Sequence, residues 1–332
     1  MKKKFLLSIL ILFIFLSTAC SSPGILTGDF LISVTEIALY NGNISAAEKE
    51  IYQFLKDFEQ KTSVNLPDSD ISKLNSAKAF EKVYVDKDII NMLNLCKDMV
   101  IKTSGEYNPC IYPVFKLYDF INKTVPTDQE INSMLPYTNF NDLEIGENYI
   151  IKKYDYMQVD LGSIAKGYAT DKCVEIAKKH NVTSGVIDIG RNIYLIGYNM
   201  SGGKNVPFNV GVTCPRGGYL FGKIKLSDIS AVTSGDYERY FMLDGVRYSH
   251  IIDGATGKRS NTDIISATIF GTNSTICEIY STSLFLMGME KAIKFASENN
   301  LKVLLINEDL KYYASGGLEF YDISDKYSIW TS

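Results

Sequence analysis

The chain has 332 residues, of which 46% are hydrophobic and 22% charged, and its formal net charge is -4. This length allows a large buried core, in one domain or in two intertwined lobes. The acidic balance and the lack of basic clusters after the first few residues argue against nucleic acid as a partner.

The N-terminus has the pattern of a bacterial secretion signal. Three lysines precede an apolar run from Phe5 to Phe15, which is too short for a membrane span of roughly 20 residues. Small residues ending in Ala19 stand before Cys20, as in a lipoprotein signal. We therefore expect residues 1–19 to be removed, Cys20 to be lipidated, and residues 20–27 to tether a domain at 28–332 to the outer face of the bacterial cytoplasmic membrane. The alternative is ordinary cleavage with an incidental Cys20.

The first half of the mature chain predicts helices separated by polar connections. A strand over Phe30–Tyr40 precedes a helix, for which Ser45 and Glu48 have the spacing of a capping box. A polar loop is expected over Thr62–Asn75, and a second helix over Asp88–Thr103, ending before Gly105. Asn122–Asn141 is another polar connection.

The stretch VDLGSIAKGYATD, Val159 to Asp171, predicts a site for a phosphate group. A short strand over Tyr156–Leu161 leads to Gly162 and Ser163, and then to a helix that ends near His180. Free backbone N–H groups at a helix start, together with Lys166 in the first turn, favour a phosphate or pyrophosphate. Asp160 either hydrogen-bonds a ligand or caps the helix.

The second half predicts a meandering antiparallel sheet and a long helix. Strands are expected over Ser184–Gly197 with a break at Gly190, and over Phe208–Thr213, Tyr219–Leu226, Ile229–Thr233, Ile264–Phe270, Leu301–Asn307 and Lys311–Ser315. The helix covers Asn273–Asn299. Its Glu278 and Thr282 stand four residues apart on one face, with Ser281 beside them. These oxygen groups suit Mg²⁺ or Ca²⁺, or they belong to an ordinary solvated helix face.

A hairpin over 237–252 carries one of the two histidines. Its strands flank Asp244-Gly245, a dipeptide that favours a type I′ turn, so His250 falls near the end of the return strand. Asp253, Gly254 and Gly257 follow in a loop that lets a ligand approach the backbone. Taken alone, the hairpin is equally compatible with an incidental surface histidine.

The cysteines that follow Cys20 are scattered and include no CxxC pair. We therefore expect no zinc site, no redox dithiol and no disulfide framework, and most of these thiols are expected to pack in the core.

Seven separate blocks, in this order, resemble the FAD:protein FMN transferase family (ApbE-like flavin transferases): SDISKLN, GEYNP, VDLGSIAKGYATD, IGRNI, TSGDYERY, SHIID with a following TG, and E-x-x-STSLFLMG. The resemblance covers nearly the whole mature chain. It implies a single α+β T-fold-like domain, with antiparallel sheets and packed helices, that binds FAD and Mg²⁺. It also implies transfer of FMN to a Thr or Ser hydroxyl of an acceptor protein with an FMN-binding electron-transfer domain, and release of AMP.

The resemblance also implies the roles of individual residues. His250 falls at the position of the proposed general base. The metal positions are Glu278, Ser281, Thr282 and Ser163, the last through its carbonyl. The positions that contact FAD are Glu106, Tyr107, Asn108, Asp160, Lys166 and Ile252.

The chain departs from the family pattern at several of these blocks. Glu278 replaces an Asp, and its longer side chain moves the carboxylate by about one bond. The other departures are Asn108 for Asp, Arg191 for a second Gly, Gly254 for Pro, and Asn65 near a frequent aromatic position. They keep open an FAD-binding lipoprotein, or one that hydrolyses FAD to FMN and AMP without transfer. A solute-binding lipoprotein would share only the signal.

Overall fold

The computed structural model describes residues 24–31, 33–200, 204–323 and 327–330. Its strands, in chain order, are β1 (Gly24–Phe30), β2 (Ser33–Leu39), β3 (Lys82–Tyr84), β4 (Leu143–Ile145), β5 (Tyr149–Lys152), β6 (Ser184–Ile189), β7 (Asn192–Gly197), β8 (Phe208–Thr213), β9 (Leu220–Leu226), β10 (Ile229–Gly235), β11 (Tyr240–Leu243), β12 (Val246–Ser249), β13 (Ile264–Gly271), β14 (Lys302–Asn307), β15 (Lys311–Ala314), β16 (Phe320–Asp322) and β17 (Ser328–Ile329).

The helices complete the element list. They are α1 (Ile44–Thr62), α2 (Asp70–Ser76), α3 (Lys87–Lys102), α4 (Tyr112–Phe115), α5 (Asp128–Met134), α6 (Ala165–Lys179), α7 (Ser274–Met287) and α8 (Met289–Glu298), with short 3₁₀ turns at Leu135–Tyr137 and Phe140–Asp142.

A central sheet organises the described part of the chain. Its strand order is β1-β2-β6-β7-β10-β13-β14-β15-β17, and all neighbours are antiparallel except β15 and β17. Two smaller sheets have the orders β16-β9-β8 and β3-β5-β4, and β11 and β12 form a separate hairpin.

Alternation along the central strands divides the core into two layers. On β6, Val186 belongs to the same buried cluster as Phe221 of the β8–β9–β16 sheet. The next residue, Ile187, faces the other way and packs against α1, α3 and α6. Helices α7 and α8 continue that helical layer over β13 and β14. The α+β class with antiparallel sheets and packed helices is confirmed.

The first strand begins inside the range expected to be a tether. β1 starts at Gly24, because Gly24–Phe30 pairs with the whole of β2 in a hairpin. The expected strand over Phe30–Tyr40 is therefore only the second arm. The signal segment 1–19 and the lipidation site Cys20 lie outside the described residues. No helix within the described ranges is long and apolar enough to cross a membrane.

Three expectations about helices are corrected. Asn43, rather than the Ser45–Glu48 pair, caps α1, because its side chain accepts the Ala46 N–H. The loop expected over Thr62–Asn75 contains α2, which is capped by Ser69. The single helix expected over Asn273–Asn299 is two helices, α7 and α8. Gly288, at a φ of +76°, separates them.

Two connecting segments also differ from expectation. The Asn122–Asn141 connection contains α5, for which Thr127 and Glu130 form a complete capping box. The strand expected over Tyr156–Leu161 is not formed: Tyr156 lies in a turn, and residues 157–161 belong to no helix or strand. There the Asn75 side chain replaces a partner strand, since it donates to the Val159 carbonyl (2.9 Å) and accepts the Val159 N–H (2.7 Å).

Candidate active site

A cleft of about 320 Å³ opens where α6 begins, beside α7 and the end of β10. The connection before α4 and the segment after β12 form its other walls. Of the eleven site residues predicted within the described ranges, ten line this cleft: Glu106, Tyr107, Asn108, Asp160, Ser163, Lys166, His250, Ile252, Glu278 and Thr282.

The floor of the cleft is the contact between α6 and α7. A side chain at Gly167 would place its Cβ 2.5 Å from the Ser274 carbonyl, so glycine allows the two helices to approach closely. Glu278 is 2% exposed at this contact. Its Oε2 accepts the Gly167 N–H at 2.6 Å, and its Oε1 accepts from Lys166 Nζ and, at 3.1 Å, from Asn192 Nδ2. The carboxylate therefore already attracts a positive charge.

Oxygen groups of the kinds that bind cations line the same cleft as this carboxylate. Because Gly167 donates to Glu278, no described backbone N–H donates to the Ser163 carbonyl, which is free to act as a ligand. The Thr282 hydroxyl lies on the cleft, 3.2 Å from Ser234 Oγ. Ser281 is the one predicted metal ligand that does not line the cleft. Its Oγ lies 2.8 Å from Ser234 Oγ, which does line it. This set of one carboxylate, one carbonyl and hydroxyls suits Mg²⁺.

No group of three or more His, Cys, Asp or Glu residues that could hold a metal occurs within the described ranges. Among the oxygen groups named above, Glu278 is the one carboxylate, so a cation bound by them would complete its shell with neutral oxygens and water.

His250 lies just after β12 with its ring oriented by one carbonyl. The Arg239 carbonyl accepts the His250 backbone N–H at 2.9 Å and lies 3.3 Å from Nδ1. A carbonyl can only accept, so Nδ1 carries the proton and Nε2 is left as the basic nitrogen. Burial, followed by the positive charges of Arg239 and Lys166, lowers the pKa of His250 to about 4. The imidazole is therefore neutral at pH 7.

The carboxylates of Asp253 and Asp160 have different surroundings. Asp253, the other possible base, accepts the Ala255 and Thr256 N–H groups and the Thr256 hydroxyl, so it is used in its own turn. Asp160 lines the cleft. Burial raises its pKa, and the Gly162 N–H on its Oδ1 (3.0 Å) opposes that effect. Asp160 therefore orders the turn before α6 at the wall of the cleft.

The connection before α4 is locked in place by its own side chains. The Tyr107 ring is 1% exposed, and its hydroxyl accepts from Ser163 at 3.2 Å. Asn108 donates to the Thr138 carbonyl at 2.9 Å, a bond that an Asp could not make. The Gly254 N–H donates to the Glu106 carbonyl at 2.8 Å, which a proline could not do. These bonds account for two of the departures from the family pattern.

Several cleft residues were missed by the sequence analysis. Asn192 belongs to the IGRNI block and Arg239 to the TSGDYERY block, and both line the cleft. The two blocks are part of the family resemblance, but neither side chain was predicted as a site residue. Tyr112 and Phe115 had no such signal. They reach the cleft because α4, a single turn, projects them there as a stacked pair with ring centroids 6.2 Å apart.

Comparison with known sequences gives consistent matches. Residues 31–305 match the ApbE family. The chain is 32% identical over 292 residues to the FAD:protein FMN transferase of Treponema pallidum, covering 83% of this chain and 81% of that relative. It is 29% identical over 281 residues to the FAD:protein FMN transferase of Vibrio cholerae, covering 82% and 83%.

Solved structures show the same fold. The flavin transferase ApbE from Vibrio cholerae superposes with a TM-score of 0.80 at 27% identity, covering 89% of this chain and 97% of that one. The ApbE protein from Thermotoga maritima gives a TM-score of 0.81 at 27% identity, with the same coverage.

Proposed function

The chain belongs to the ApbE family, and from that premise we propose that it transfers the FMN half of FAD to a Thr or Ser hydroxyl of an acceptor protein and releases AMP. One observation carries this proposal. The start of α6 with Lys166, the Glu278 carboxylate and the neutral His250 all border a single cleft.

The reaction exchanges one phosphorus–oxygen bond for another. The acceptor hydroxyl oxygen attacks the FMN-side phosphorus of FAD, and the bond from that phosphorus to the bridging oxygen breaks, so that AMP leaves with the bridging oxygen. The hydroxyl proton goes to His250 Nε2. A neutral imidazole with its Nδ1–H held by the Arg239 carbonyl is prepared for that step.

Mg²⁺ is the cation that we propose for the oxygen set. Glu278, Thr282 and the Ser163 carbonyl would hold it, with Ser281 supporting them through Ser234. When bound, it would neutralise charge on the pyrophosphate as a Lewis acid. Glu278 extends the carboxylate from α7 as far as the first turn of α6, where the Gly167 N–H holds one of its oxygens.

The acceptor must reach the cleft as a protein loop. We propose that it is an FMN-binding electron-transfer domain that becomes flavinylated on Thr or Ser. We also propose that the enzyme lies on the outer face of the cytoplasmic membrane, anchored by lipid at Cys20. The N-terminal residue pattern supports that location.

One experiment tests the reaction. The full chain in detergent is incubated with FAD, Mg²⁺ and a flavin-acceptor domain, and the products are analysed by mass spectrometry. We expect the acceptor to gain the mass of an FMN phosphoester, with one AMP released for each FMN added. Free FMN and AMP with an unmodified acceptor would identify a hydrolase, and recovery of intact FAD would contradict both activities.

A further inference from the structure

Carboxylates outnumber cations among the side chains that line the cleft, although the proposed ligand is an anion. FAD carries its negative charge on a pyrophosphate, yet the side chains of the described residues that line the cleft include two cations and four carboxylates: Lys166, Arg239, Glu106, Asp160, Glu238 and Glu278. Lys166 is already paired with Glu278 and also donates to the Gly162 carbonyl at 3.1 Å. Its charge is therefore largely offset before any ligand arrives.

Arg239 is the cleft cation whose charge is not offset in this way. Three other arginines are paired with carboxylates: Arg191 with Glu238, and both Arg216 and Arg247 with Asp236. No described carboxylate lies within 4 Å of the Arg239 guanidinium, and the residue is exposed at the cleft wall. An arginine directed to a cleft without a partner has its donor groups available for a ligand.

The positive charges of Arg239 and Lys166 influence the same two side chains, His250 and Asp160. Both positive charges lower the pKa of His250, in addition to the larger effect of burial, and both oppose the burial that raises the pKa of Asp160. The main chain supports this placement, because the Arg239 carbonyl holds His250. A polyanion bound in the cleft beside His250 would therefore be attracted by both cations.

We propose that Arg239 is a second phosphate-binding residue, whose guanidinium pairs with the pyrophosphate oxygens of FAD. The planar guanidinium can donate two parallel hydrogen bonds to a phosphate group, whereas Lys166 acts as a single point charge. This inference rests on the proposed function. It adds that affinity for the phosphates depends on the hairpin side of the cleft as well as on the start of α6.

The test measures equilibrium binding and not turnover. FAD is titrated against the wild type, Arg239→Gln, Arg239→Lys and the control Arg247→Gln, and flavin fluorescence is followed. Arg247 lies on the same hairpin, and Asp236 keeps its bidentate bond to Arg216 when Arg247 is lost. We expect Arg239→Gln to weaken FAD binding by about 10- to 100-fold, Arg239→Lys to weaken it less, and the control to bind as the wild type does.

Competition with ADP and with adenosine separates phosphate recognition from a structural role. If Arg239 binds phosphate, Arg239→Gln loses affinity for ADP and keeps its affinity for adenosine. An equal loss for both competitors, or wild-type affinity for FAD in a folded Arg239→Gln variant, would overturn the inference. Failure of the wild type itself to bind FAD would instead overturn the proposed function, so the two failures are distinguishable.

Discussion

At the scale of single residues, Glu278 has the most demanding surroundings. A carboxylate that is 2% exposed would be costly to bury alone, but here it is held by an ammonium, a backbone N–H and a side-chain amide. A cation that binds Glu278 must compete with Lys166. Binding of the FAD pyrophosphate would draw Lys166 away, and so would favour binding of the metal.

We predict that Glu278→Gln weakens divalent-cation binding by at least about tenfold, which corresponds to about 1.4 kcal/mol. The substitution keeps the shape of the side chain and removes its charge. Mn²⁺ titration followed by electron paramagnetic resonance measures the loss directly. Glu290→Gln, an exposed position on α8, is the control and should bind as the wild type does. Equal Mn²⁺ affinity in Glu278→Gln would remove Glu278 from the metal site.

His250 supports a second prediction at this scale. His250→Gln should reduce FMN transfer by about 10²- to 10⁴-fold, because the base is lost, while FAD binding stays close to that of the wild type. Single-turnover transfer and flavin binding, measured on the same sample, separate the two effects. A folded variant that transfers FMN at nearly the normal rate would exclude His250 as the base.

The pH dependence of stability gives an independent check on His250. Its pKa is lowered from an ordinary 6.5 to about 4. Between pH 6.5 and pH 4, His250 is therefore protonated in the unfolded chain but neutral in the native state. This residue therefore makes the native state progressively less stable as pH falls from about 6.5 to about 4. The free energy of unfolding of the wild type should therefore fall relative to that of His250→Gln as the pH decreases over that range, whereas a constant difference in urea unfolding would contradict the low pKa.

At the scale of the elements, the junction of α6 and α7 holds the site together. Asp171 on α6 accepts the Ser274 and Thr275 N–H groups at the start of α7, and Gly167 allows the close approach one turn earlier. The position of Glu278 beside Lys166 is a consequence of this packing.

We predict that Gly167→Ala destabilises the protein, although Gly→Ala inside a helix ordinarily stabilises it by about 1 kcal/mol. The added Cβ would lie 2.5 Å from the Ser274 carbonyl, and we expect a net cost of about 1–3 kcal/mol in the free energy of unfolding. Urea denaturation measures it. Gly316→Ala, with no atom within 4 Å of the new Cβ, should be nearly neutral. A stabilised Gly167→Ala would show that the helices can separate without cost.

Local patterns predicted most strands and the long helices, because burial alternates or repeats within each element. The same patterns could not place the break at Gly288, since the residues on both sides favour a helix. The strand expected around Val159 was wrong for a different reason. Its hydrogen-bond partner is Asn75, 84 residues earlier, and a side chain that replaces a strand leaves no periodic signal.

At the scale of the whole molecule, the cleft is assembled from segments that are far apart in sequence, from Leu31 to Leu286. The resemblance blocks indicated most of these segments, so ten of the residues that line the cleft could be named in advance. The blocks could not show that Lys166 forms an ion pair with Glu278, or that Arg239 forms no ion pair with a described carboxylate. Both features depend on how separate elements pack together.

The cysteines give a prediction for the whole chain. Cys96, Cys110, Cys173, Cys214 and Cys277 are all free and buried, which confirms that they form no disulfide framework. We expect a thiol reagent to react slowly with the native protein and to find five thiols after unfolding, because a lipidated Cys20 has no free thiol. Six thiols in the mature, membrane-bound protein would contradict lipidation. A reducing agent should leave the melting temperature unchanged.

With the proposed lipid anchor at Cys20, the early start of β1 would limit how far the cleft can lie from the membrane. Only three residues separate Cys20 from Gly24, a span of at most about 15 Å, and β1 adds about 23 Å before Leu31 reaches the cleft. With the proposed lipid anchor, this short connection would keep the cleft close to the surface of the bilayer, and the reaction would take place there. An acceptor domain would have to be held in that same layer, so attachment of the acceptor to the membrane becomes part of substrate selection.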